Sequence, residues 1–200
     1  AIIPGLLKRW YAERQEMQKK MRECGDNEIE REYWDKRQLV KKINLNSLYG
    51  AILNPGCRFF DMRIGQSVTL TGRCITKHMA SKTNEIIAGK YDHKGESIVY
   101  GDTDSVYFTA HKTLQKEINE GVIPWTKDSV VALYDRIADE VNGSFKSFMT
   151  KAFHTPSTRG EVIAAGRELV ASKGLFITKK RYAVLYYDKE GKRADVDGKD

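Results

Sequence analysis

Cysteine is scarce in this 200-residue chain. Cys24, Cys57 and Cys74 are odd in number and contain no C-x-x-C pair. This argues against a disulfide framework or a zinc ribbon and fits a reducing intracellular compartment. No apolar run approaches the roughly 18–20 residues of a membrane span. The amino terminus has no charged-then-apolar secretory arrangement, so a membrane partner is not expected. Asn142-Gly143-Ser144 matches a glycosylation sequon, but without a signal peptide the match is read as chance. Four prolines and 16 glycines are too few for a low-complexity linker. There is no internal repeat. The opening Ala1-Ile2-Ile3-Pro4 and the close at Gly198-Lys199-Asp200 read as a chain cut from, or split off, something longer.

What is present is a globular composition, 40% apolar and 30% charged, which excludes a fibrous or disordered class. Thirty-four basic residues against 27 acidic leave a net charge of +7. A basic excess concentrates polyanions, so nucleic acid, nucleotides or an acidic membrane surface are the partners to test first.

The periodicity predicts a helix from Gly5 to about Glu23, with Leu6, Leu7, Trp10 and Met17 on one stripe. Gly25-Asp26-Asn27 stops it, and a second helix runs from about Glu28 to Leu48. The two form an antiparallel pair, polar and basic over much of its surface, projecting from a body. A third helix is predicted over 61–88. Then the period falls to two, giving short strands over 97–100 and 105–109. A fourth helix fits Asp128 to Phe153, capped by Asp128 or Ser129. Strands over 161–165, 175–178 and 181–187 complete an α+β order: a mixed or antiparallel sheet covered on one face by helices.

Three segments carry candidate chemistry. In Tyr100-Gly101-Asp102-Thr103-Asp104-Ser105 two carboxylates flank a threonine in a turn between apolar strands. Extended residues at i and i+2 share a side, so both could face one Mg2+ ion. That ion takes a few carboxylate oxygens and fills its shell with water and phosphate. The alternative is ordinary turn capping by Asp. On the second helix Lys42, Asn46 and Tyr49 line one face, with Gln38 one turn earlier. A cation, an amide and a ring follow the order of a triphosphate, a sugar and a base. A solvated face ending in a core tyrosine is the other reading. Lys42 is the row's only cation, and Arg14 on the first helix could supply a second. Finally, Thr178-Lys179-Lys180-Arg181-Tyr182 leads a strand whose cations should point alternately up and down. They either grip a nucleic-acid backbone or only solubilise the surface.

In that order and at those separations, Lys42-x-x-x-Asn46-Ser47-x-Tyr49-Gly50, the Asp102-Asp104 turn and Lys179-Lys180-Arg181-Tyr182 resemble the family B DNA polymerases. The likeness is greatest to the replicative enzymes of large tailed bacteriophages and covers essentially the whole chain. The resemblance implies a fingers helical hairpin over 1–53 and the carboxyl-terminal part of a catalytic palm over 54–200. It implies that Asp104 binds both Mg2+ ions, with a less direct part for Asp102. Lys42 and Arg14 would hold the triphosphate of an incoming dNTP. Asn46 would lie beside that nucleotide, and Tyr49 and Gly50 would pack on the nascent base pair. Lys179, Lys180, Arg181 and Tyr182 would track primer–template DNA, and Glu161 matches an acidic position near the primer end. A sliding clamp would serve the full enzyme, which would work inside the cell, in the host cytoplasm if phage-encoded.

The pattern also departs from the family. Gln18 stands where a basic residue is usual, and the turn between the first two helices is short. The upstream Asp-x-x-Ser-Leu-Tyr-Pro strand, the exonuclease, the amino-terminal domain and the thumb have no counterpart here. Two-metal transfer needs carboxylates from both strands, so the chain alone is expected not to polymerise. The rivals are a split-polymerase subunit completed by a partner and a non-catalytic nucleic-acid-binding module.

Overall fold

The computed structural model describes residues 1–194; the last six residues of the segment expected to run over 54–200 lie outside them. The chain divides into two compact units, Ala1–Thr69 and Leu70–Asp200.

The first unit is helical. α1 (Ile2–Glu23) and α2 (Glu28–Leu53) are joined by a tight turn and followed by the start of α3 (Met62–Ala88). α1 begins three residues earlier than the sequence suggests, because a proline in the first turn forfeits only a donor that has no helical acceptor. In the α1–α2 turn Gly25 takes φ 53°, and Asn27 caps α2 by accepting from the Glu30 N–H at 3.2 Å. α2 continues through Gly50 and ends at Asn54, whose extended φ −93°, ψ 115° is what a following proline imposes.

The second unit holds the core. α5 (Lys127–Phe153) buries Val130, Ile137, Val141, Phe145 and Met149, a stripe at helical spacing. Its cap is Thr126, reciprocally bonded to Ser129 in a capping box, rather than Asp128. The carboxyl half of α3 packs Ile75, Met79 and Ile86 on that face, whereas Ile64 and Val68 near its start stay exposed. Val130, Val170 and Tyr187 form a second cluster. Two short helices, α4 (Gln115–Asn119) and α6 (Ser157–Gly160), escaped the sequence pattern.

The fold is α+β, but every strand pairing among the described residues is antiparallel, so no mixed sheet forms. β1 (Ile98–Asp102) and β2 (Ser105–Phe108) make a two-stranded sheet. β3 (Leu169–Thr178), β4 (Arg181–Lys189) and β5 (Lys192–Arg193) make a three-stranded one. The strand expected over 161–165 is absent. There the Asn142 side chain does the work of a ladder, accepting from Ala165 N–H at 2.7 Å and donating to its carbonyl at 2.8 Å. With both amide atoms engaged, Asn142 has a structural use unrelated to its sequon.

Candidate active site

The acidic turn is built from the strands outward. Asp102 pairs with Ser105 across the hairpin, leaving Thr103 and Asp104 as a two-residue turn. Thr103 takes φ 40°, so the expected extended i, i+2 alternation does not hold at the tip. Two bonds tie the turn down. Thr76 Oγ1, on α3, donates to the Thr103 carbonyl at 2.9 Å. Ser105 Oγ donates to the Asp102 carbonyl at 3.2 Å. The carboxylates differ: Asp102 is half-buried and its Oδ1 accepts from Thr103 Oγ1 at 3.1 Å. Asp104 is exposed, and its carboxylate makes no hydrogen bond or ion pair among the described residues. Asp102 thus has part of the capping role open to it, while Asp104 keeps both oxygens for a ligand. Among the described residues no group of three or more acidic, histidine or cysteine side chains is placed to hold a metal. Two hard oxygen donors suit part of a Mg2+ shell and leave the rest to water, phosphate or another chain.

Beside this turn lies the basic one. Thr178 pairs with Arg181, so Lys179 and Lys180 are the two turn residues between β3 and β4. Lys180 takes φ 63°, and the predicted up–down alternation of three strand cations gives way to a turn. Tyr100 links the two turns, since its hydroxyl accepts from the Lys180 backbone N–H at 2.9 Å. Tyr182 stays exposed but packs its ring on aromatic neighbours, its hydroxyl accepting from Tyr107 at 3.0 Å. Glu161 lies in a turn after α6, where Lys146 Nζ donates to its carboxylate at 2.6 Å.

A cavity of about 490 Å3 adjoins the acidic turn. It is bounded by residues 104–109, by Ile137 and Val141 of α5, and by residues 164–174. Every residue of β2 lines it, and β2 pairs only with β1 among the described residues. Arg167, in its wall, ties Asp135 and the buried Asp188 with bonds of 2.5 Å each.

In the first unit Lys42 and Asn46 are exposed on α2, and Tyr49, one turn on, is half-buried. The Tyr49 hydroxyl donates to the Gly65 carbonyl at 3.3 Å. Gly65 leaves room there for Leu53, whose Cδ2 a Cβ would approach to 2.0 Å unless the leucine moved. Arg14 reaches across the helix pair, its Nε donating to Gln38 Oε1 at 3.2 Å, while Gln38 Nε2 donates to Asp35 at 2.9 Å. Lys41, which flanks the row, pairs with Glu13 at 2.5 Å, and that hydrogen bond holds the Glu13 carboxyl below its ordinary range.

Sequence reasoning missed Thr76 and the aromatic partners of the two turns. Counting outward from a two-residue turn would have set Tyr100 opposite Tyr107. Nothing local in the sequence points to Thr76, which lies 27 residues before Thr103.

A turn bearing two carboxylates, and a cationic turn tied to the same hairpin through Tyr100, suit a hard cation and a phosphate backbone. A model of DNA polymerase family B matches residues 1–151, a span that takes in Arg14, the Lys42 row and the acidic turn but not Glu161 or Lys179–Tyr182. The chain belongs to that family. It is 32% identical over 167 residues to the DNA-directed DNA polymerase of Escherichia phage RB69, covering 78% of this chain and 18% of that protein. Identity to the corresponding enzyme of Enterobacteria phage T4 is 31% over 169 residues, with the same shares. The DNA polymerase delta catalytic subunit of Oryza sativa subsp. japonica is 30% identical over 200 residues, 99% of this chain and 16% of that protein. The chain therefore spans less than a fifth of the length of these relatives.

Proposed function

We propose that this chain supplies the second half of the fingers and most of the palm of a template-directed DNA polymerase. The reaction is attack of a primer 3′ hydroxyl on the α-phosphate of a dNTP, with loss of pyrophosphate. The observation that carries this reading is the exposed, unpartnered Asp104 on a turn pinned by Thr76, with a cationic turn bonded beside it.

Asp104, seconded by Asp102, would hold Mg2+, which when bound lowers the charge on the reacting phosphate and favours the ionised hydroxyl. The chain's own residues position the rest. Lys42 and Arg14 would neutralise the triphosphate, and Asn46 would lie beside the nucleotide. Tyr49 and Gly50 would pack against the new base pair. Lys179, Lys180, Arg181 and Tyr182 would keep the primer–template duplex in place, with Glu161 near the primer end. Positioning of this kind is most of what a protein contributes to phosphoryl transfer. The complete enzyme would act inside the cell, in the host cytoplasm if phage-encoded, and would engage a sliding clamp.

The cavity along β2 supports a second element of the proposal, that the site is finished by an extended segment bearing the missing carboxylate. This is the Asp-x-x-Ser-Leu-Tyr-Pro strand, joined in cis or brought by a partner chain. Primer extension tests both parts. The chain with Mg2+ should give no product. Adding the polypeptide that carries the upstream strand should restore synthesis, and Asp104→Ala should abolish it again, by roughly a thousandfold or more. Product from the chain alone overturns the incomplete-site reading. Restored synthesis that survives Asp104→Ala overturns the metal-binding one.

A further inference from the structure

The two hairpins of the second unit belong to separate sheets. Four rings nevertheless meet across them: Tyr100 on β1, Tyr107 on β2, Phe176 on β3 and Tyr182 on β4. All six pairings have centroid separations between 5.2 and 6.0 Å. Phe176 and Tyr182 stack at 24°, and the others are tilted or edge-on, as ring quadrupoles prefer. Gly174 makes room for this packing, since a Cβ there would lie 2.9 Å from Phe176 Cε2.

Two hydroxyls give the cluster direction. Tyr107 donates to Tyr182, and Tyr100 accepts the N–H of Lys180, the turn residue held at positive φ. Burial, with the Tyr182 hydrogen bond, pushes the Tyr107 hydroxyl above its ordinary value, so it remains a proton donor at any working pH.

The geometry points to an aromatic joint. Tyr100, Tyr107, Phe176 and Tyr182 fix where the basic turn lies relative to the acidic turn, and so which nucleotide of a bound strand faces Asp102 and Asp104. Phosphate contacts fix a protein's register on a duplex, but lysine and arginine make them through long flexible side chains. The register they set is therefore only as sharp as the placement of the turn that carries them. A lone two-stranded hairpin is also marginal in water, so its placement must come from what it packs on. The inference rests on the polymerase reading above. Tyr100, Tyr107 and Phe176 act in it as positioning residues rather than catalytic ones.

The test uses the chain, completed by the polypeptide that carries the upstream strand and bound to an end-labelled primer–template duplex. Fe2+ replaces Mg2+, and hydrogen peroxide and ascorbate are added so that hydroxyl radicals cut the nucleotides nearest the carboxylates. The unaltered chain should cut at a narrow set of positions. Tyr100→Phe/Tyr107→Phe keeps the rings and removes both bonds. It should spread the cuts over neighbouring nucleotides, while the salt dependence of binding stays the same because Lys179, Lys180 and Arg181 remain. Phe176→Leu should spread them further. Tyr186→Phe, an exposed change on the strand of Tyr182 but outside the cluster, should leave the pattern narrow. An unchanged pattern in the double variant overturns the joint alone, as does spreading in Tyr186→Phe. Absence of binding or of cutting by the unaltered, completed assembly overturns the polymerase reading and the joint with it.

Discussion

The two units carry their candidate residues on scaffolds of different kinds. In the first, Ile52 is the one buried hydrophobic residue. The helix pair is held by half-buried stripes and by polar bridges such as Arg14–Gln38 and Glu13–Lys41. In the second, Phe145, Val141 and Val170 are nearly sealed from solvent, and a buried ion network ties α5 to the larger sheet. Elements with few buried apolar contacts open at lower free energy than cored ones. The row that would grip a nucleotide therefore sits on the more yielding scaffold, and the carboxylates sit on the firmer one. Under the proposed reading that division suits a nucleotide-binding part that closes and a metal site that stays put.

The largest effect that could break this comparison is at Arg167. Arg167→Ala leaves Asp188, whose side chain is only 4% exposed, without its guanidinium. Stripping one partner from a buried pair costs about 3–5 kcal/mol. Amide exchange should speed up sharply in β3, β4 and α5 while α1 and α2 barely change. Equal acceleration in both units would show that they unfold as one.

A smaller probe belongs to the first unit. Asn27→Ala removes the cap of α2 and should cost about 1 kcal/mol, seen as faster exchange in α1 and α2 only.

The smallest effect is a pH dependence confined to the second unit. His78 is buried between Tyr91 and Ser144, each 2.8 Å from a ring nitrogen, and stacks on Phe148. Burial, with nearby Lys82, holds its pKa below the ordinary 6.5. The folded protein thus binds the proton less readily than the unfolded chain. Stability is full above about pH 6.5 and is lost as pH falls from there through the lowered folded value. Melting followed from pH 7.5 to 5 should show this decline, and His78→Gln should flatten it. A decline that persists in the variant would assign it to other groups.

Much of this was legible in the residues. Four long helices, the acidic hairpin and the antiparallel pairing of α1 and α2 follow from local period and turn chemistry. So does the row Lys42, Asn46 and Tyr49, because helical spacing alone places them on one face. Most of the failures share one cause. Residues 161–165 look like a strand by composition, but Asn142, 23 residues away, bonds both backbone groups of Ala165, while Val162 and Ile163 donate back to Arg159 and Gly160. The strand bounds already leave Lys179 and Lys180 between two strands, as found, but the alternation expected of their cations fails because the pairing of Thr178 with Arg181 makes them a tight turn. The anchoring of Thr103 by Thr76 and the four-ring cluster are likewise matters of chain crossing, which no local window contains.

The uncovered side of β2 has a practical consequence. Ser105-Val106-Tyr107-Phe108 is an uncharged, aromatic and β-branched ribbon whose outer backbone groups have no ladder partner among the described residues. Such an edge is adhesive toward any other extended chain, including its own copies. Purified alone, this polypeptide should drift toward self-association with rising concentration. The same stickiness would make it a ready acceptor for the extended segment proposed to finish the site.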